Sequence, residues 1–457
     1  MKKADIAVIG LGIMGKNLIL NLTDRNISVA FYNRTKEKSE NFFNENMNNK
    51  KIFKSYSIQN LIAQLKTPRY ILLMVKSGSI IDAYINKILP YLDKKDVIID
   101  GGNSFFKDTR KRMIQLEQQG IFYLGLGISG GEKGARLGAS IMVGGSKECW
   151  KPKIREILNK ISAVNSSGNS CCEWMGEGGA GHFVKMVHNG IEYAIMQLIS
   201  ETYYFMKNLI GMDNEKLSSI FFEWNKGELN SYLIKITSEI LKKKQKTKYF
   251  IDKISDVAEQ KGTGKMAAIS SLKLDVPFNI ATESVFARFT STQEKEREIS
   301  TLNYKEKNFL IDKNQNLLED LKQSLIFSKI ISYSQGLTLL KKASKKYNWQ
   351  LNYKKISSIW QSGCIIESSL MKKIEIAFKK NASLENILFD KELQNLVKKS
   401  SKSARNIASI AILNGLGTPS LCSAINFFDF FTAKKLPTNL IQAQRYYFGK
   451  HECRFNS

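Results

Sequence analysis

Residues 5–18 read Asp5-Ile6-Ala7-Val8-Ile9-Gly10-Leu11-Gly12-Ile13-Met14-Gly15-Lys16-Asn17-Leu18. The first five give a short, buried strand. The next six form G-x-G-x-x-G, and helix-forming residues follow. In strand–turn–helix context this spacing is a phosphate-binding turn for a dinucleotide. Gly10 permits the tight turn, Gly12 lets the backbone approach a pyrophosphate, and Gly15 lets helix and strand pack closely. The helix start adds free N–H groups and the positive end of its dipole. Leu11, Ile13 and Met14 complete the loop.

Three further runs repeat the strand pattern: 28–32, 70–75 and 96–100. Helix-length segments separate them. That alternation predicts βαβ units, hence a Rossmann-type α/β domain over residues 1–177 with a doubly wound parallel sheet. Seventeen of the thirty glycines fall there. Beyond residue 178 the strand signals fade, and apolar residues recur at three- and four-residue spacing, as over 181–206 and 321–347. The pattern predicts a large all-helical domain over 178–435 and a short tail over 436–457. Leu217-Ser218-Ser219-Ile220 before Trp224 and Ile356-Ser357-Ser358-Ile359 before Trp360 give a weak repeat signal.

Composition narrows the function classes. No apolar run reaches the length that spans a bilayer, and residues 1–5 carry no secretory signal, so a cytoplasmic protein without membrane contact is expected. Six scattered cysteines form no CxxC pair, which predicts reduced thiols and no metal site. The net charge is +27. Its lysines are spread along the chain without a basic arm, so compositional drift explains the charge better than a nucleic-acid partner. The excess would still attract an anionic small substrate.

The second strand ends in Asn33-Arg34-Thr35. An NAD site usually places Asp or Glu there for the ribose 2′-OH; a carboxylate would repel a 2′-phosphate, whereas Arg34 can bind one with charge-assisted hydrogen bonds. NADP is the expected cofactor. Farther along, Lys185, His188, Asn189 and Glu192 occupy i, i+3, i+4 and i+7 and share one helix face. An amine, an imidazole, an amide and a carboxylate thus stand side by side. Lys–Glu spacing of this kind also suits a solvated stripe, but the flanking residues are too apolar for one, and two of the three histidines lie in this run.

These motifs together resemble the 6-phosphogluconate dehydrogenases, the decarboxylating NADP enzymes of the pentose phosphate pathway. The resemblance runs over nearly the whole chain. It includes the glycine loop, residues 73–76, Ile99-Asp100-Gly101-Gly102-Asn103, residues 127–132, 185–193, 261–265 and 282–288, and residues 441–449. It implies that Lys185 takes the proton from the 3-hydroxyl during hydride transfer and that Glu192 protonates C1 after decarboxylation. A fall in the lysine pKa by desolvation and nearby cations would suit that role. It implies that Val75, Lys76 and Asn103 border NADP. Asn103, Ser129, Gly130, Gly131, His188 and Asn189 would hold the sugar acid. Tyr193, Lys261, Thr263, Arg288, Arg445 and His451 would bind the phosphate of 6-phosphogluconate. It further implies a homodimer in which Arg445 and His451 reach the partner's site. Related 3-hydroxyacid dehydrogenases share the first loop and a catalytic lysine but lack the segments around Arg288 and Arg445. A basic nucleic-acid-binding protein would instead need a contiguous basic surface. Departures from the family pattern are Ala194 and Ile195, Met266, Lys133, Ala139 and Val143, and a shorter tail after His451.

Overall fold

A computed structural model describes residues 3–304 and 316–454. Parts of the expected helical domain (305–315) and of the expected tail (455–457) lie outside the described residues. Eight strands build one sheet: β1 Ile6–Ile9, β2 Val29–Tyr32, β3 Ile52–Lys54, β4 Tyr70–Leu73, β5 Val97–Asp100, β6 Phe122–Ile128, β7 Ile141–Gly145 and β8 Cys172–Glu177. Their order is β3-β2-β1-β4-β5-β6-β7-β8. Strands β1 to β6 run parallel; β7 is antiparallel to β6, and β8 is parallel to β7. The expected parallel sheet is therefore mixed at one end. The four quoted runs form β1, β2, β4 and β5. The glycines within β6 and β7 weaken any strand signal, and those strands went unread for that reason.

The helices between the strands are α1 Ile13–Asp24, α2 Lys36–Glu45, α3 Ile58–Ala63, α4 Ser79–Ile88, α5 Phe106–Glu117, α6 Gly131–Leu137 and α7 Pro152–Ile161. Apolar clusters cover the sheet, one around Leu18, Phe31 and Leu126, another around Ile9, Ile71 and Ile98. The second half is helical: α8 Ala180–Asn208, α9 Asn214–Trp224, α10 Tyr232–Lys242, α11 Thr263–Lys273, α12 Asn279–Ser291, α13 Glu294–Tyr304, α14 Leu317–Tyr347, α15 Tyr353–Ile359, α16 Ser369–Lys380, α17 Lys391–Leu413, α18 Pro419–Thr432 and α19 Thr438–Gly449. A small antiparallel pair, 244–245 with 248–249, corrects the expectation of helices alone. The two Ser-Ser segments lie in α9 and α15, each the first helix after a long one, α8 and α14.

Helix α8 is the axle of the molecule. Every residue from Ala180 to Ile191 is buried. Its apolar residues seat it in the core, each fully buried Phe, Ile or Met contributing about 1.5–3 kcal/mol, while Lys185, His188 and Asn189 form a buried polar face. Its first turns seat directly on the sheet. A Cβ on Gly127 of β6 would lie 2.3 Å from Lys185 Cβ, and one on Gly181 would lie 2.5 Å from the Met142 carbonyl. Glycine at both positions lets helix and strands approach. Phe106, Met142 and Met175 join the core formed by α8, α14 and their neighbours, so the halves share apolar packing. No helix among the described residues is long and apolar enough to cross a membrane.

Candidate active site

The loops after β1, β4, β5 and β6 meet at the carboxyl edge of the sheet, where the strand order reverses between β1 and β4. Such a switch point is where doubly wound sheets bind ligands. Gly10 has φ +107, and a Cβ there would lie 2.5 Å from the Met74 carbonyl oxygen; one on Gly15 would lie 2.0 Å from the Gly10 oxygen. Gly12 instead faces open space. It caps α1 without a side chain, leaving first-turn N–H groups available. Leu11 N–H donates to Asn33 Oδ1 at 3.1 Å, and Asn33 Nδ2 donates to the Thr35 carbonyl at 3.1 Å. Asn33 thus ties the glycine loop to the end of β2. Ile13, Arg34 and Thr35 are exposed there, and Met14 is half-buried. No carboxylate among the described residues pairs with Arg34. Val75 is half-buried, and Lys76 and Asn103 are exposed on the next loops. An open glycine cradle with a free guanidinium and no acid fits a dinucleotide bearing a 2′-phosphate.

Across this edge stands the face of α8. Lys185 Nζ lies 3.3 Å from His188 Nδ1, which is 3.2 Å from Asn189 Oδ1 and 3.6 Å from Glu192 Oε2. His188 Nε2 is 3.1 Å from Ser129 Oγ, which follows β6. The Trp360 ring meets the imidazole edge-on at 5.6 Å. Gly130 and Gly131 adopt positive φ beside Ser129. A Cβ on Gly130 would lie 2.5 Å from the Gly363 oxygen, while Gly131 faces open space. The turn is therefore held from behind and open in front.

Burial shifts the proton affinities of the face. It lowers the Lys185 pKa, against the opposing charge of Glu192 and the Cys364 thiol. It raises the Glu192 pKa, against Lys185 and Arg288. It lowers the His188 pKa well below the usual imidazole value, with Lys185 adding to the effect. Of the two causes expected for the lysine, desolvation is the one that acts; the charged group beside it is an anion, not a cation.

A second cluster lies two turns along. The Arg288 guanidinium of α12 sits 3.6 Å from the centre of the Tyr193 ring, and its Nη1 donates to the Glu259 carbonyl at 3.5 Å. Thr263 opens α11, and Lys261 is exposed just before it. Gly264 lies flat against Tyr193, where a Cβ would come within 2.5 Å of the ring. Arg445 and His451 do not join this group within the chain. No residue of α19 is buried. Arg445 Nη1 donates to Gln442 Oε1 at 3.2 Å, and His451 packs on Phe448. Most of the described tail is therefore the helix α19, none of whose residues is buried against its own body.

Two family models match the chain: the NAD binding domain of 6-phosphogluconate dehydrogenase over residues 5–176, and the 6-phosphogluconate dehydrogenase C-terminal domain over residues 181–456. The chain belongs to the 6-phosphogluconate dehydrogenase family. The decarboxylating 6-phosphogluconate dehydrogenase of Dictyostelium discoideum is 45% identical, covering 98% of this chain and 93% of that protein. The NADP(+)-dependent, decarboxylating enzyme of Bacillus subtilis (strain 168) is 46% identical, over 99% and 96%. The Plasmodium falciparum 6-phosphogluconate dehydrogenase, solved in apo form and with its cofactor NADP+ and its substrate 6-phosphogluconate, superposes with a TM-score of 0.95 at 40% identity. That match covers 99% of this chain and 98% of that one.

The departures from the 6-phosphogluconate dehydrogenase pattern are accommodated by packing. Ile195 is 2% exposed in the α8 core, and Ala139 and Val143 are buried in the sheet. Met266 packs against the helical core, and Lys133 is exposed. Sequence reasoning passed over Asp100, Thr109, Arg112 and His182, buried polar groups behind the loops. Asp100 stood inside a quoted motif and His182 inside the α8 run, so both were visible without a role. Arg112 carried no signal.

Proposed function

We propose that this member of the family oxidises and decarboxylates 6-phosphogluconate to ribulose 5-phosphate and CO₂, reducing NADP to NADPH, as an enzyme of the pentose phosphate pathway. The observation that carries the reading is the buried α8 face, which sets Lys185 Nζ 3.3 Å from His188 Nδ1 and Glu192 Oε2 3.6 Å from it, with burial shifting the lysine toward its neutral form and the glutamate toward its protonated form. Those are the states a base and an acid must hold before they act.

Gly10, Gly12, Gly15 and the first turn of α1 would hold the pyrophosphate of NADP, and Asn33, Arg34 and Thr35 its 2′-phosphate. When bound, NADP supplies the hydride acceptor. Lys185 takes the 3-hydroxyl proton as the substrate is oxidised at C3. The resulting 3-keto acid loses its carboxylate as CO₂, with the bonding electrons moving onto the ketone; protonated Lys185 returns its proton to that oxygen. An enediol remains. Glu192 donates its proton to the carbon that had carried the carboxylate, C1 of the product, as Lys185 takes the proton of the neighbouring enediol hydroxyl, which completes the ketose. Ser129, Gly130, Gly131, Asn103, His188 and Asn189 orient the acid and its hydroxyls. Tyr193, Lys261, Thr263 and Arg288 bind the phosphate.

Residues 1–177 form the cofactor half in this reading, 178–435 the substrate and dimer half, and 436–457 the tail. The enzyme works as a cytoplasmic homodimer whose Arg445 and His451 complete the partner's phosphate site. The unburied α19, with Tyr447 88% and Phe448 74% exposed, supports that arrangement. The test is direct: purified protein with 6-phosphogluconate and NADP should release NADPH and CO₂ in equal amounts. NADPH without CO₂, or neither product, overturns the reading.

A further inference from the structure

Behind the two loops that would flank the cofactor lies a buried ionic knot centred on Arg112 of α5, which is 5% exposed. Its Nε and Nη2 donate to the two carboxylate oxygens of Asp82 at 2.7 and 3.0 Å. Nη2 also donates to the Gly78 carbonyl at 3.0 Å. Gly78 ends the loop that follows β4 and carries Val75 and Lys76. On its other side, Nη1 lies 3.7 Å from Asp100 Oδ2 at the end of β5. Asp100 holds the next loop: its Oδ1 accepts from Gly102 N–H at 3.0 Å, and its Oδ2 accepts from Ser104 Oγ at 2.6 Å and Tyr123 OH at 2.9 Å. One turn earlier on α5, Thr109 Oγ1 lies 2.7 Å from Nδ1 of His182, which stands one turn before Lys185 on α8.

We infer that Arg112 is a positioning residue for the nicotinamide half of NADP. In a doubly wound sheet the pyrophosphate rests on the β1 loop, the adenosine half lies toward β2, and the other half crosses toward β4 and β5. On that second side Arg112 hydrogen-bonds the β4 loop at the Gly78 carbonyl and faces Asp100, the anchor of the β5 loop, as an ion pair at 3.7 Å without a hydrogen bond. Bidentate guanidinium–carboxylate pairs fix geometry as well as distance, and lysine cannot reproduce the fork. Among the described residues, no hydrogen bond or ion pair joins Arg34, on the adenosine side, to Arg112, Asp82 or Asp100. Loss of Arg112 therefore loosens one half of the cofactor and spares the other. The inference rests on the proposed NADP reading.

The experiment compares equilibrium binding of NADP with that of 2′,5′-ADP, which fills only the adenosine side, by titration calorimetry. Wild type, Arg112→Met, Arg112→Lys and Asp82→Asn are measured. Asp82 is 53% exposed, so its variant keeps the fold testable if Arg112→Met does not fold. The expected result for Arg112→Met is at least a fivefold rise in Kd for NADP and less than a twofold change for 2′,5′-ADP. Arg112→Lys should recover part of the loss, and Asp82→Asn should shift the ratio in the same direction by less. In turnover, KM for NADP should rise more than KM for 6-phosphogluconate. A proportional loss of both ligands, or an unchanged NADP affinity in Arg112→Met and Asp82→Asn, overturns the inference. Wild-type turnover tests the functional reading separately: a wild type that binds NADP but does not oxidise 6-phosphogluconate defeats that reading and leaves the ratio test intact. A wild type that binds neither nucleotide defeats both.

Discussion

Lys185 and Glu192 stand two turns apart on one face of α8, with His188 between them, and burial moves their proton affinities toward each other. The lysine loses its proton more readily than a free amine, and the glutamate keeps its proton longer than a free carboxylic acid. Both shifts come from the same desolvated helix.

Replacing the amine should separate chemistry from binding. Lys185→Met is expected to lower turnover by about 10²–10⁴-fold, the usual contribution of a positioned acid–base group. NADP affinity should stay within about twofold, a threshold taken from the small effect expected of a residue off the nucleotide loop. Single-turnover NADPH formation reads the first, calorimetry the second. Near-normal turnover would remove Lys185 as the base.

The acidity profile follows from the two directions. Activity should rise with pH as Lys185 gives up its proton, at a pH below that of a free lysine. It should fall where Glu192 loses its own, at a pH above that of a free glutamate. In Glu192→Gln the falling limb should vanish from the pH dependence of turnover, and oxidation should survive better than enediol protonation. A falling limb that persists in the variant assigns it to another group.

Cofactor choice should depend on Arg34. Arg34→Ala is expected to weaken NADP by about 1.5–3 kcal/mol, the value of a hydrogen bond to a charged group, and to leave NAD nearly unchanged. Equal NADP binding by wild type and variant would defeat this.

Mixing tests the tail. Arg445→Ala and Lys185→Met chains, each inactive alone, are unfolded together and refolded. Heterodimers should regain activity, because one of their two sites keeps both the lysine and the arginine. Heterodimers that form without activity place the whole site within one chain.

Glu201 offers a test of stability. Its carboxylate accepts N–H groups of Ser420 at 2.9 Å and Leu421 at 3.0 Å at the start of α18, and burial pushes its pKa up to about 7. A raised acid favours folding while protonated. That contribution is complete below the ordinary glutamate range and is lost as pH rises through about 7. The wild-type melting temperature should therefore fall between pH 5 and pH 8 more than that of Glu201→Gln, whose amide stays neutral. Parallel curves would count against the shift.

The glycine loop, four of the strands and the α8 face were legible because each is a local pattern: a turn spacing, an apolar run, a helical period. Strands β6 and β7 were not, since Gly125, Gly127, Gly144 and Gly145 dilute their apolar signal; the first three make room for α8, distant in sequence, and Gly145 for the β6 backbone. The grouping of Tyr193 with Arg288 came from the family resemblance, since a ring and a guanidinium on separate helices leave no spacing to read. Arg112 was invisible for a similar reason: its partners at 78, 82 and 100 lie on other elements, and a lysine-rich chain hides one more cation. The direction of the Lys185 shift and its desolvation were foreseen, but the neighbouring charge was not: it is the anion Glu192 rather than a cation.

The glycine seat beneath α8 also bears on how such a protein can change over generations. The height of Lys185 above the sheet is set by missing atoms on Gly127 and Gly181, so a side chain at either position cannot be added without moving the helix or the strands. Adding a methyl at either position drives it into backbone or into the lysine itself. New substrates would have to be reached through the surrounding loops, where variation is cheap, while the lysine and its floor are inherited as a unit.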